Sequence, residues 1–374
     1  MTRKEKQQLH QDVYNNYALT RLYISKFQGI NELLIEHLPF NTQWIFLTGE
    51  NGFGKTSILR AIAKGLVGDE DLVPPLPKDA KIYTHGLCNK KPFMYEAIPK
   101  MKPNFVIPLA AYGVSRFLLS SGDLVLSERS QQKTYSLFRD DGLLINIEQE
   151  LITTFAYNKP RFEQLRKVFL KVIPNLKDIK IDTTNGSPKV RYCEQDNDNQ
   201  AYEYISLNDL AAGYRSILTM IGDMVMRLSE VGGNDINDLK GIVLIDEIDA
   251  HLHPKYQYEL PKLLSDVFPK VQFIVTTHSP IPILGLPENN KPVVLTVERS
   301  KEKGITIDRK DDDFDIRKLN PMMLLTSPIF NFHAVLARGA KADDIIAGDD
   351  FKEVEDIKRI KERLKDLREK GLVK

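Results

Sequence analysis

The chain has little that would mark a secreted, metal-stapled or membrane protein. Its 374 residues hold two cysteines, Cys88 and Cys193, too few and too far apart for a disulfide framework or a zinc cluster. It has no stretch of about 18 apolar residues, and its opening, Met1 to Gln8, is polar with no apolar run behind it. Neither a membrane span nor a secretory leader is therefore expected. Charge of one sign is not in excess: 52 Lys+Arg face 51 Asp+Glu, so global charge announces no nucleic-acid partner. Sustained heptads are missing too, which excludes a long coiled coil. The expectation is a cytoplasmic protein, long enough for one large domain or two lobes.

What is present begins with a glycine turn. Gly49, Glu50, Asn51, Gly52, Phe53, Gly54, Lys55 and Thr56 satisfy G-x-x-x-x-G-K-[ST] in full. Trp44 to Leu47 ahead of it form an apolar run of strand length, and Ser57 to Ala63 behind it carry helical apolar spacing. A strand feeding a glycine loop that opens a helix is the setting of a phosphate site. The loop's backbone N–H groups curl around a polyphosphate, with Ser57 closing the set of contact candidates. Lys55 is placed to reach the β- and γ-phosphates, and the Thr56 hydroxyl to ligate Mg²⁺. Upstream, residues 18–30 and 31–38 read as two strands, which predicts an antiparallel β layer over part of the nucleotide site.

A second group of residues carries acid and base. Gly241 to Ile245 is a continuous apolar strand ending in Asp246-Glu247. Carboxylates at the end of a buried strand are costly unless a cation meets them. Mg²⁺ near Thr56 supplies one, leaving Asp246 on the metal and Glu247 to polarise the attacking water. Val271 to Val275 is another strand, and the turn Thr276-Thr277-His278-Ser279-Pro280 puts His278 within reach of a γ-phosphate. His251 and His253 lack a third ligand at metal spacing. Leu210-Ala211-Ala212-Gly213-Tyr214-Arg215-Ser216 opens a helix, and is either an anion site made of backbone amides or a plain helix start.

The stretches between are less telling. Residues 68–103, rich in Pro, Gly, Asp and Lys, read as an irregular excursion. Residues 105–111 read as a buried strand whose end, Tyr112 to Arg116, either faces the nucleotide or lies at the surface as an ordinary turn. Helices are expected over 148–156 and 159–172, then a hairpin of 179–182 with 190–193 and a third strand at 202–205. Asp196 to Asn199 lacks the glycine and glutamate of a calcium loop and reads as a turn.

Taken together, these residues resemble the ABC-type ATPase head of the SMC, RecF and OLD families, which orders its parts as P-loop, signature helix, acidic pair and histidine switch. The matching positions are Gly49 to Thr56, Leu210 to Ser216, Asp246-Glu247 and His278, with Asp249 to Pro254 similar to the loop that follows the acidic pair in the RecF/OLD-like branch. The resemblance implies an α/β P-loop NTPase with a mixed central sheet, an antiparallel β subdomain and a helical insertion. It also implies an ATP sandwich, each nucleotide held between one subunit's P-loop and another's signature helix, hence a homodimer or larger homo-oligomer. Two positions depart from the pattern: Ala211 stands where the signature carries serine, and His253 where many heads carry aspartate.

The expected layout is a polar lead-in over 1–17, a head over 18–300 (first lobe 18–145, insertion 146–204, second lobe 205–300) and a C-terminal extension over 301–374. After His278, where OLD proteins carry a nuclease, the chain reads instead as a hairpin of 293–297 with 304–308, then an apolar stretch from Met322 to Phe330 and a charged amphipathic helix over 351–370. The compact head further resembles the stand-alone ATPases of bacterial anti-phage systems such as Septu and PARIS. That resemblance implies a trigger-sensing ATPase that controls a separately encoded effector, a nuclease by preference. Two other readings stay open: a RecF-like repair clamp with DNA as its partner, and a scaffold locked by ATP with incidental turnover.

Overall fold

A computed structural model describes residues 16–68, 73–115, 132–140, 144–184, 186–196, 198–232, 235–312, 315, 316, 319 and 321–330. Arg116, most of the lead-in and the helix expected over 351–370 lie outside them. The first strands, β1 (Ala18–Phe27) and β2 (Ile30–Ile35), pair antiparallel. β3 (Trp44–Thr48) leads through the glycine turn into helix α1 (Lys55–Val67). β4 (Lys81–Cys88) and β5 (Lys91–Ala97) then complete a four-stranded antiparallel sheet in the order β2-β1-β4-β5.

This hairpin replaces the irregular excursion expected over 68–103. Its signal is a weak alternation, Ile82, Thr84 and Gly86 buried between more exposed neighbours, flanked by prolines and charges that read as loop. Asn89 and Lys90 both take positive φ, 51° and 65°, as a two-residue hairpin turn requires. Asn-Lys is not one of the pairs that announce such a turn.

β6 (Leu109–Tyr112) is shorter than the strand expected over 105–111. Pro108 has no N–H to give a ladder, although its carbonyl accepts the Ile242 amide. Helices α2 (Ile147–Tyr157) and α3 (Lys159–Val172) follow, and the side chains of Asn146 and Asn158 cap their first turns. β7 (Leu176–Asp182), β8 (Lys189–Gln195) and β9 (Ala201–Ile205) form the expected small antiparallel sheet. Next come helix α4 (Ala212–Gly232), β10 (Lys240–Ile245), helix α5 (Pro254–Val267) and β11 (Lys270–Thr276). The hairpin β12 (Val293–Ser300) and β13 (Gly304–Arg309) follows, and a short helix over Pro321–Thr326 comes last among the described residues. The boundary expected at 300 thus falls inside a hairpin that belongs to the head's own sheet. No helix among the described residues is long and apolar enough to cross a membrane.

The central sheet runs β13-β12-β3-β11-β10-β6. Neighbours from β12 to β6 are parallel, and β13 is antiparallel at the edge. The fold is therefore α/β with a mixed central sheet. Side chains alternate across a strand, and each face of this sheet has its own core. Trp44, Phe46, Val243, Ile245, Phe273 and Val275 join one core with α2, α3 and α4. Ile45, Leu47, Ile242, Leu244 and Ile274 join the other with α1 and the four-stranded sheet. Burial on both faces explains why these strands read as unbroken apolar runs.

Two buried polar groups fasten the layers. The amide of Gln272 on β11 accepts from Leu19 N at 2.8 Å and donates to the Thr42 carbonyl at 3.2 Å, which ties β1 to the central sheet. The Thr84 hydroxyl donates to the Gly65 carbonyl at 2.6 Å. A Cβ on Gly65 would collide with the Thr84 methyl, so this glycine sets how closely α1 lies on β4.

Candidate active site

At the end of β3 the chain enters the loop through Gly49 and leaves it through Gly54, which caps α1 with φ of 99°. A side chain at Gly54 would also strike Ile305 of β13, so both backbone sign and space call for glycine. Lys55 folds back over the turn, its Nζ donating to the carbonyls of Gly49 and Glu50 at 2.7 and 2.9 Å. Burial lowers its pKa to about 8 against the upward pull of Asp246, Glu247, Asp249 and Glu50.

β10 delivers the acidic pair beside this loop. Thr56 Oγ1 donates to Asp246 Oδ2 at 2.8 Å, and Thr276 Oγ1 donates to Asp246 Oδ1 at 2.6 Å. The same Thr276 hydroxyl accepts the Glu247 amide at 2.7 Å. Glu247 holds φ of 48°, a left-handed backbone that is strained for a non-glycine residue and turns its carboxylate away from the strand line. Its Oε1 stands 3.8 Å from His278 Nε2. Burial, then the nearby Lys55 charge, hold His278 below its ordinary pKa. The imidazole is therefore neutral at pH 7 and this contact is not an ion pair.

The structure brings together Lys55, Thr56, Asp246, Glu247 and His278. Thr56 and Asp246 are hard oxygen donors in direct contact, a pairing that suits Mg²⁺ held by one hydroxyl, one carboxylate and substrate phosphates. Among the described residues no group of three His, Cys, Asp or Glu forms a cage that would hold a metal alone. His253 accepts the Lys255 amide on Nδ1 and so caps α5. Ser57 donates to the Gln28 carbonyl, which engages it with the β1–β2 turn. Phe53 packs against the core beside α1, while Asn51 and Gly52 lie exposed.

The signature residues lie elsewhere. Helix α4 packs on the sheet face opposite α1. Ala211 and Ala212 are exposed, and a Cβ on Gly213 would stand 3.1 Å from the His251 carbonyl. Tyr214 meets Tyr256 edge-on at 5.7 Å, Arg215 donates to the Asn208 carbonyl at 2.9 Å, and the Ser216 carbonyl accepts the Thr219 hydroxyl. Leu210 is buried in the core, so its side chain offers nothing to a ligand. Tyr112 also departs from expectation: it is fully buried, and its hydroxyl donates to Asp223 at 2.8 Å, so it does not face a nucleotide.

Sequence reasoning missed four supporting residues. Thr276 bridges both acidic residues. Thr277 donates to Asp249 Oδ1 at 2.6 Å, and Gln257 ties the 249–252 loop to Ser279. Arg299 on β12 donates to the Gly52 carbonyl at 3.3 Å. The two threonines stood in plain view at a strand end, but which of them turns toward the acids depends on strand register.

This fold and this set of residues define a P-loop ATPase. Residues 126–283 match the family of AAA ATPase domains. The chain is 30% identical over 303 residues to the Septu protein PtuA of Bacillus mycoides (strain KBAB4), covering 75% of this chain and 41% of that one. It is 30% identical over 160 residues to the retron Ec83 probable ATPase of Escherichia coli, covering 42% and 28%. The chain thus spans less than half the length of these relatives. Among solved structures, the SMC head domain from Thermotoga maritima aligns with 78% of this chain and 98% of its own at 13% identity, with a TM-score of 0.40.

Proposed function

We propose that the protein is a Mg²⁺-dependent ATPase that assembles through ATP sandwiches and controls a separate effector, a nuclease, in defence against phage. The observation that carries the chemical half is the convergence of Lys55, Thr56, Asp246, Glu247 and His278 at one end of the parallel strands. Lys55 neutralises and orients the β- and γ-phosphates. Thr56 and Asp246 would hold Mg²⁺, which would offset charge on the phosphate oxygens. Glu247 accepts a proton from the attacking water, and His278 donates a hydrogen bond to the γ-phosphate.

The assembly half is supported by the placement of the signature. Its helix lies on the face of the sheet opposite α1, so its exposed start is offered outward to a second copy. The effector half rests on the likeness to a Septu protein and a retron ATPase. Copurification with the product of the neighbouring gene, followed by size-exclusion chromatography with and without ATP, should yield an ATP-dependent complex containing a nuclease. A lone dimer whose turnover is stimulated by DNA would favour a repair clamp instead. Glu247→Gln separates binding from turnover: hydrolysis should fall at least about a hundredfold, as for loss of a general base, with nucleotide still bound. Assembly that persists in this variant makes ATP binding the working state.

A further inference from the structure

About three turns into α4 from Gly213, at 3.6 residues per turn, sits a charged cluster that the hydrolytic site does not use. Asp223 is fully buried and Arg227 nearly so. The Asp223 carboxylate accepts three bonds. Tyr112 Oη and Arg227 Nε donate to Oδ2 at 2.8 and 2.6 Å, and the Ile145 amide donates to Oδ1 at 2.8 Å. A buried carboxylate needs such company, yet an apolar cluster of the same volume would often stabilise a core as well.

What the cluster adds is a connection. Tyr112 is the last residue of β6, and its own carbonyl accepts the Asp246 amide at 2.8 Å. Two hydrogen bonds in series therefore run from the helix that begins with the signature to the residue that meets Thr56.

We propose that Asp223 and Tyr112 are positioning residues for Asp246, so that the seat of this carboxylate follows the position of helix α4. The inference rests on the reading of Thr56 and Asp246 as the magnesium-holding pair. It makes the metal end of one P-loop responsive to whether the same copy's signature helix is engaged. Arg227 pairs with Asp223 and keeps its carboxylate in place.

The test uses the full chain carrying Glu247→Gln, and follows binding of a fluorescent ATP analogue as free Mg²⁺ is raised. Tyr112→Phe removes one hydroxyl and leaves the Asp223–Arg227 pair. It should shift the Mg²⁺ midpoint upward by about tenfold, the lower end of what loss of an outer-shell partner does to metal affinity. Affinity in EDTA should stay unchanged, a split that general destabilisation would not produce.

An unmoved midpoint in folded Tyr112→Phe overturns the proposal and leaves the site reading intact. Binding that ignores Mg²⁺ with Tyr112 in place overturns the site reading, and the proposal with it. A second measurement needs no substitution at the cluster: Mg²⁺ with ATP should slow amide exchange over residues 219–227 relative to ATP in EDTA, and unchanged exchange there overturns the proposal as well.

Discussion

At the scale of single residues, burial lowers the pKa of both basic groups of the site, Lys55 and His278. Lys55 is the clearest case, because burial brings its amine down to about 8. An arriving triphosphate favours the ammonium, so the bound pKa lies above the free one. Below pH 8 the amine is already charged and binding takes up no proton. Above it, each binding event draws one in, and ATP affinity should fall as pH rises, by at most about tenfold per unit for one linked proton. Calorimetry in buffers of different ionisation enthalpy would detect this uptake at pH 9 and its absence at pH 7. Equal heats at both values would show that Lys55 is not the group that meets the phosphates. Thr276 invites a second substitution. Its hydroxyl touches both acidic residues, so Thr276→Val should cost about 10–100-fold in turnover, as loss of an outer-shell partner does. Thr276→Ser keeps the hydroxyl and should restore most of it; steady-state hydrolysis assays of the two variants decide the matter.

Elements differed in how plainly the sequence declared them, and the reason is burial. β3, β10 and β11 are covered on both faces and read as unbroken apolar runs, so the strand–turn–helix setting of Lys55 and the acidic strand end at Asp246 were legible from residues alone. The β4–β5 hairpin has one face on the core and the other exposed, and its alternation was hidden among prolines and charges. Tyr112, open between a nucleotide contact and a surface turn, was undecided for a related reason. A strand end fixes where a residue sits, while the side it faces depends on a register that only the pairing Ile245↔Tyr112 supplies. Packing between elements was silent too, as Gly65 shows: nothing in α1 marks it as the point of approach to β4. Gly65→Ala should destabilise by about 1–3 kcal/mol, the usual cost of overpacking, and lower Tm by several degrees. Thr84→Ser removes the obstructing methyl but keeps the hydroxyl that bonds the Gly65 carbonyl. The double variant should therefore recover most of the loss in thermal denaturation, a coupling expected of residues in contact; equal losses in single and double variants would place the strain elsewhere.

For the whole molecule, the sheet separates the two elements offered to phosphate. Lys55 heads a helix on one face and Gly213 a helix on the other, and in the assembly proposed above a symmetric pair of copies would let each supply what its partner's site lacks. Lys55→Ala empties a copy's own P-loop and leaves its signature whole. Gly213→Glu spoils the signature, placing a carboxylate where a phosphate should approach, and leaves the P-loop whole. Neither variant alone contains a complete composite site. In a mixture, a hybrid dimer joins the intact P-loop of one chain to the intact signature of the other. If dimers form at random, half are hybrids and each has one good site of two, so mixing should return about a quarter of the unsubstituted rate for a symmetric dimer. Activity that stays at the level of the separate variants after mixing and re-equilibration would rule out the shared site, and with it the idea that assembly is part of what ATP does here.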